Sequence, residues 1–139
     1  MGIGPLTKQR MAHMYGAELE IWDRFLAGQG GRVKDCQYDV HVGAVRELPP
    51  VSTPEDRRLW EALSSKRVDV VCRWDGMLFL VEVKEVQNMS GLGQVLSYVS
   101  LWNSEGRIQG KARPLLVCGR LDPDLKGGYV SQSVEVVCV

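Results

Sequence analysis

The sequence predicts an α/β fold: a mixed β-sheet with a central hairpin, flanked by helices. Three observations predict it. Residues 67–84 hold two apolar runs joined by Asp75-Gly76, and Asp-Gly between such runs is the strongest short-range hairpin signal, because a type I′ turn needs positive φ at both central residues. Two segments, 7–27 and 91–103, repeat apolar residues at spacings of three and four, the helical period. Of two late segments, 114–118 is a short continuous apolar run, as in a buried strand, and 134–139 reads as a last strand.

The chain has 139 residues, 45% hydrophobic and 24% charged, with formal net charge +0. It is expected to form one domain over 1–139 with a real core. Zero net charge argues against a strong non-specific coat of nucleic acid, although local patches can still form. No stretch reaches the ~18 apolar residues of a membrane span, and no signal-peptide or myristoylation pattern opens the chain. A cytoplasmic protein is expected. Cys36, Cys72, Cys118 and Cys138 show no C-x-x-C spacing and read as buried, reduced thiols rather than metal ligands or disulfides.

Taken in order, Thr7 reads as the cap of the first helix. Met11, Met14, Ile21, Trp22 and Phe25 line its apolar side. Glu18 lies inside that seam, four residues from both Met14 and Trp22, while Glu20 falls on the solvated side. A carboxylate in an apolar stripe is costly without a partner. It is either salt-bridged to an arginine or a third acid aimed at the site described below. A strand follows over 37–45, stopped by Pro49-Pro50. Ser52-Thr53-Pro54-Glu55-Asp56 then starts a helix with a hydroxyl cap, Pro in the first turn and acids beside it. It runs to Ser64 and should bury Leu59, Trp60 and Leu63. Arg57, Arg58, Lys66 and Arg67 form either a basic patch near the hairpin or a solvated face.

In the hairpin, a two-residue loop makes each cross-strand pair sum to 151. Asp69 then opposes Glu82, and Arg67 opposes Lys84. Val68, Val70, Cys72 and Trp74 against Met77, Phe79, Val81 and Val83 make one wholly apolar face, expected in the core. Opposed carboxylates repel, so Asp69 and Glu82 need something positive: Lys84 on the same face, or a divalent cation. The helix over 91–103, capped by Ser90, buries Leu92, Val95, Leu96, Val99 and Trp102. Gln94, Tyr98 and Leu101 form an adjoining stripe. Asp122-Pro123 opens a turn or one helical turn before Gly127-Gly128. The four tryptophans fall on apolar faces and read as core rather than as platforms for bases.

Two hard carboxylates suit Mg²⁺ or Mn²⁺. The Val83 carbonyl and Glu18 could add oxygens, and a lysine beside them can orient or deprotonate a water and stabilise developing phosphorane charge. This is the residue set for metal-assisted phosphodiester hydrolysis.

Three elements carry a family resemblance: Arg67-Val68-Asp69-Val70-Val71, then Glu82-Val83-Lys84, then Gly93-Gln94-Val95-Leu96-Ser97-Tyr98. Together they resemble the PD-(D/E)XK, or restriction-endonuclease-like, nuclease superfamily, in the branches of mismatch-type endonucleases, RecB-like nucleases and Holliday junction resolvases. The likeness covers residues 67–139; residues 28–66 match nothing comparable, and Val68 stands where the signature has proline. The resemblance implies a restriction-endonuclease-like core and a Mg²⁺- or Mn²⁺-dependent nuclease that cuts DNA, an endonuclease of DNA processing, repair or recombination. It implies Asp69 and Glu82 as metal ligands, with Val83 and Glu18 as further ones. Lys84 would be the catalytic lysine and Gln94 an active-site polar residue. Arg57, Lys66, Arg67 and Tyr98 are the candidate nucleic-acid contacts. Duplex cutting needs two active sites, so a homodimer or a separate DNA-binding partner is expected. The competing expectation is a non-catalytic nucleic-acid- or protein-binding module with a nuclease-like fold.

Overall fold

The computed structural model describes residues 14, 16–45, 47, 48, 50 and 52–139. The predicted Thr7 cap and Met11 lie outside them. The described chain begins with helix α1 (Ala17–Gly28) and strand β1 (Val33–His41). Helix α2 (Pro54–Ser64) leads into the hairpin of β2 (Arg67–Trp74) and β3 (Met77–Val86). Helix α3 (Met89–Ser104), strand β4 (Arg113–Arg120), a 3₁₀ turn (Pro123–Leu125), helix α4 (Lys126–Ser131) and strand β5 (Glu135–Cys138) complete it. The five strands form one mixed sheet in the order β1-β2-β3-β4-β5. The first three are antiparallel, and β4 and β5 run parallel to β3. This is the predicted α/β class.

The hairpin has the predicted register, from Trp74–Met77 to Val70–Val81. Asp75 and Gly76 both have positive φ, 51° and 81°, as a type I′ turn requires. Beyond Val70–Val81 the register changes partners. Arg67 pairs with His41 of β1, and Lys84 with Cys118 of β4, so they do not oppose each other.

Both faces of the sheet are covered. On one, Ile21, Trp22 and Phe25 of α1 cover Val70, Cys72, Phe79, Val81, Val83, Leu115 and Val117. Gly119 lets α1 approach: a Cβ there would stand 3.1 Å from both Ile21 and the Glu85 carbonyl. On the other, α3 lays Trp102 on Val71, Leu78 and Leu80, and Val95 on Leu116 and Cys118. Burying a Leu or Phe side chain contributes ~1.5–3 kcal/mol. Two-sided burial therefore makes β3 and β4 the stable centre. Two face assignments need correction. Met77 is 42% exposed, because it flanks the turn, and Val68 packs with Val42 and Val71 at the end where β2 leaves β3.

Three other expectations change. The first strand spans Val33–His41 rather than 37–45. A bulge between Lys34 and Gln37, with Asp35 and Asp39 both at φ 56°, breaks the alternation that the sequence would need to display it. Helix α2 starts as predicted, with Thr53 and Asp56 bonding reciprocally as a capping box. It buries no residue, however, and Leu59 is 58% exposed. Asn88 rather than Ser90 caps α3, accepting from the Gly91 N–H at 2.6 Å. The turn expected at Asp122-Pro123 is the 3₁₀ turn Pro123–Leu125, and Gly127 and Gly128 follow it within α4. All four cysteines are free, with Cys72 and Cys118 buried as expected, Cys36 half-buried and Cys138 exposed. Trp22 and Trp102 are core; Trp60 and Trp74 are half-buried. Among the described residues, no helix is long and apolar enough to cross a membrane.

Candidate active site

The site forms where the hairpin opens. In a continued ladder the Val83 N–H would go to the Val68 carbonyl. It goes instead to the Asp69 carboxylate, at 3.0 Å. Toward the turn, β2 is held by β3 as well as by β1; toward the open end β2 keeps β1 and β3 keeps β4. The strands thus part at the position where two acids would otherwise be pressed together. Asp69 remains beside Glu82, which feels its charge and hydrogen-bonds with it.

Glu82 is 3% exposed, one of two buried polar residues among those described. Burial, then the Asp69 carboxylate, pushes its carboxyl up to about 9, with Lys84 opposing. Its Oε1 is buried with no hydrogen-bond partner. Leaving such an atom unpaired costs ~1–3 kcal/mol.

Helix α3 supplies the roof. Gln94 and Tyr98, one turn apart, line the same cavity as Asp69, Glu82 and Lys84, which has a volume of about 340 Å³. Gln94 Oε1 is also buried without a partner. The Tyr98 phenol is raised by burial and by the charges of Glu82 and Asp69, and its bond with Gln94 acts the other way. Asn88 fixes where α3 begins, and so the height of Gln94 above the sheet.

Glu18 arrives from α1, the helix of the opposite face, and lines the cavity too. Burial raises its carboxyl first, followed by the Asp69 charge; Lys84 lowers it and Glu85 raises it. Among the described residues the charges acting on it are those of Asp69, Lys84 and Glu85, and its place in the cavity wall matches the reading of Glu18 as a third acid near the site. Glu20 is exposed and does not line the cavity.

Arg67 lies at the mouth, exposed, with its Nη1 donating to the Asp39 carbonyl at 3.3 Å. Ser65 joins it, a residue that sequence reasoning did not single out. Its only signal was its place just before Lys66-Arg67. The structure does not bring Arg57 or Lys66 to this cavity. Arg57 is exposed on α2, and Lys66 Nζ is turned onto the Leu63 carbonyl at 2.6 Å.

Among the described residues no three His, Cys, Asp or Glu side chains are grouped closely enough to hold an ion by themselves. The donors nevertheless fit a small hard cation. They are two adjacent carboxylates with one buried, unpartnered oxygen, and Mg²⁺ keeps several waters and needs only one or two protein carboxylates.

Among solved structures, the crystal structure of a repair endonuclease from Pyrococcus abyssi is similar to this chain, with a TM-score of 0.48 and 15% sequence identity. The similarity covers 95% of this chain and 46% of that one, so the chain spans about half the length of that endonuclease. No protein-family model and no curated protein matches the chain.

Proposed function

We propose that the protein is a divalent-metal-dependent nuclease that hydrolyses DNA phosphodiester bonds, an endonuclease of DNA processing, repair or recombination with a PD-(D/E)XK-type site. The observation that carries this is Glu82: a buried carboxyl with an unpartnered oxygen, next to Asp69, under a lysine and a glutamine.

Asp69 and Glu82 would hold Mg²⁺ or Mn²⁺, with the Val83 carbonyl and Glu18 as further oxygens. Bound there, the cation would neutralise charge on a phosphoryl oxygen and acidify a water. The Val83 N–H holds the Asp69 carboxylate in place. Lys84 orients the attacking water and offsets the charge that develops on the phosphorus oxygens. Gln94 supplies an oxygen acceptor and Tyr98 a phenol at the roof. Arg67, exposed at the mouth, meets the backbone phosphates. Lys66 and Arg57 would touch the nucleic acid only outside the cavity. A homodimer would supply the second active site for duplex cutting.

The competing reading is a non-catalytic binding module of the same fold, favoured by zero net charge. A buried, repelled carboxyl opposes it, since binding alone gives no return for that cost. The test is cleavage of plasmid, single-stranded, flap, junction and mismatched DNAs with Mg²⁺ or Mn²⁺. Cleavage of at least one substrate is expected, lost in Glu82→Ala and Lys84→Ala. Activity equal in the wild type and both variants overturns the assignment.

A further inference from the structure

The four cysteines fall into two pairs on neighbouring strands. Cys118 of β4 is registered directly against Cys138 of β5, so their side chains stand on the same face. The two thiols are close enough that each influences the other's proton. Cys118 is buried with Leu116, Tyr129 and Val134. Cys138 is exposed, in the wall of an apolar cavity of about 530 Å³ that Tyr129, Val130 and Val136 also line. The other pair differs. Cys36 and Cys72 neighbour each other across β1 and β2, but Cys72 is fully buried and Cys36 half-buried. Only the β4–β5 pair combines an exposed thiol with a buried neighbour directly in register. Phosphodiester hydrolysis uses neither pair.

We propose that Cys118 and Cys138 form a dithiol site that a small-molecule disulfide such as oxidised glutathione converts into a disulfide between β4 and β5. Exposure sets the order of events. The Cys138 thiolate attacks one sulfur of the small disulfide. That S–S bond breaks, a mixed disulfide forms on Cys138, and the first small thiol leaves with the proton Cys138 lost. Cys118, deprotonated, attacks the Cys138 sulfur. The mixed disulfide breaks, the Cys118–Cys138 bond forms, and the second small thiol leaves with the Cys118 proton. Two protein thiols are oxidised and one small disulfide is reduced to two thiols.

The backbone allows the bond. Neighbouring strands lie ~4.8 Å apart, inside the ~4.4–6.8 Å Cα range of disulfides. Strand β5 has four residues and, among the described strands, is bonded to β4 alone. Burial and the Cys138 thiol raise the Cys118 thiol to about 11, and attack by a thiol, which needs its thiolate, quickens with pH. The disulfide would tie the last strand to the sheet in the register row that continues to Lys84. The inference stands apart from the nuclease reading.

The test treats the whole protein with oxidised glutathione, blocks remaining thiols, and maps peptides by mass. The expected product has lost two hydrogens and links the peptides carrying Cys118 and Cys138. Cys118→Ala should stop at a stable mixed disulfide on Cys138, and Cys138→Ser should remove the link. Wild-type protein that keeps a mixed disulfide on Cys138 without closing, links Cys36 to Cys72 instead, or consumes no thiol at all overturns the proposal.

Discussion

The two ends of one hairpin behave differently. At the turn, Trp74 and Met77 close the ladder, and Asp75 and Gly76 take the left-handed angles the turn requires. Arg32 grips the Asp75 carboxylate with two nitrogens, and its own carbonyl accepts from the Asp75 N–H at 3.1 Å. Polar groups there are paired or exposed. Eight residues away the strands separate, a backbone N–H is diverted to a side chain, and Glu82 is buried with an unpartnered oxygen. The turn end is arranged for stability. The open end gives up ladder bonds and places like charges together, a pattern expected of a site whose missing partner is a ligand.

The contrast predicts separable effects. The largest lies at the open end. Lys84→Ala should lower the cleavage rate by roughly 10²–10³-fold while leaving the thermal unfolding midpoint nearly unchanged, since the side chain is half-buried and lies outside the apolar clusters. A parallel loss of activity and stability would make Lys84 structural.

Next comes Glu82→Gln in metal-free protein. The folded carboxyl is raised from 4.5 to about 9. Its folded state therefore favours the protonated form, and relative stability is lost as pH rises from ~4.5 toward ~9. Glutamine mimics the protonated acid and does not titrate. The variant should gain roughly 1–3 kcal/mol at pH 7, a gain that shrinks as the pH falls toward ~4.5 and vanishes below it, and it should lose cleavage. Denaturant melts across pH check the sign; a variant less stable than wild type at pH 7 would place Glu82 in a favourable structural network.

At the turn end the expected changes are reversed in kind. Gly76→Ala forces a Cβ into φ 81° and should cost about 1–2 kcal/mol with cleavage per folded molecule unaltered. The smallest effect is Arg32→Ala. The ion pair is about half exposed, 55% and 47% for its two side chains, and solvent and salt screen it. The Arg32 hydrogen bonds hold the Asp75 carboxyl below its usual range. Whatever the pair contributes is present at neutral pH and fades as the pH falls through that lowered value. Its removal should be near the limit of a thermal melt and invisible in cleavage.

Much of this contrast is legible in the residues. Asp75-Gly76 sets the turn, the turn sets the register, and the register puts Asp69 next to Glu82. Gln94 and Tyr98, a turn apart on a helix, reach the same cavity. What was not legible depends on neighbours distant in the chain. The parting of β2 from β3 comes where the Asp69 carboxylate takes the Val83 N–H, while β1 and β4 hold the outer edges of the two strands. The β1 limits are hidden by two aspartates with positive φ, which no alternation rule anticipates. Helix α2 carries an apolar pattern that promised burial, yet Leu59 faces solvent, because amphipathic spacing indicates a face without indicating what covers it. Lys66 turns onto the carbonyl of Leu63, three residues earlier, and so misses the cavity although Arg67 beside it does not.

The central claim is that the carboxylates at the open end await a cation. The most direct measurement is a crystal soaked in Mn²⁺ with diffraction recorded for manganese anomalous scattering. The account predicts a peak bounded by the Asp69 and Glu82 carboxylates, absent in Asp69→Ala. No peak between residues 69 and 82 at saturating Mn²⁺, or one unaffected by Asp69→Ala, would contradict it.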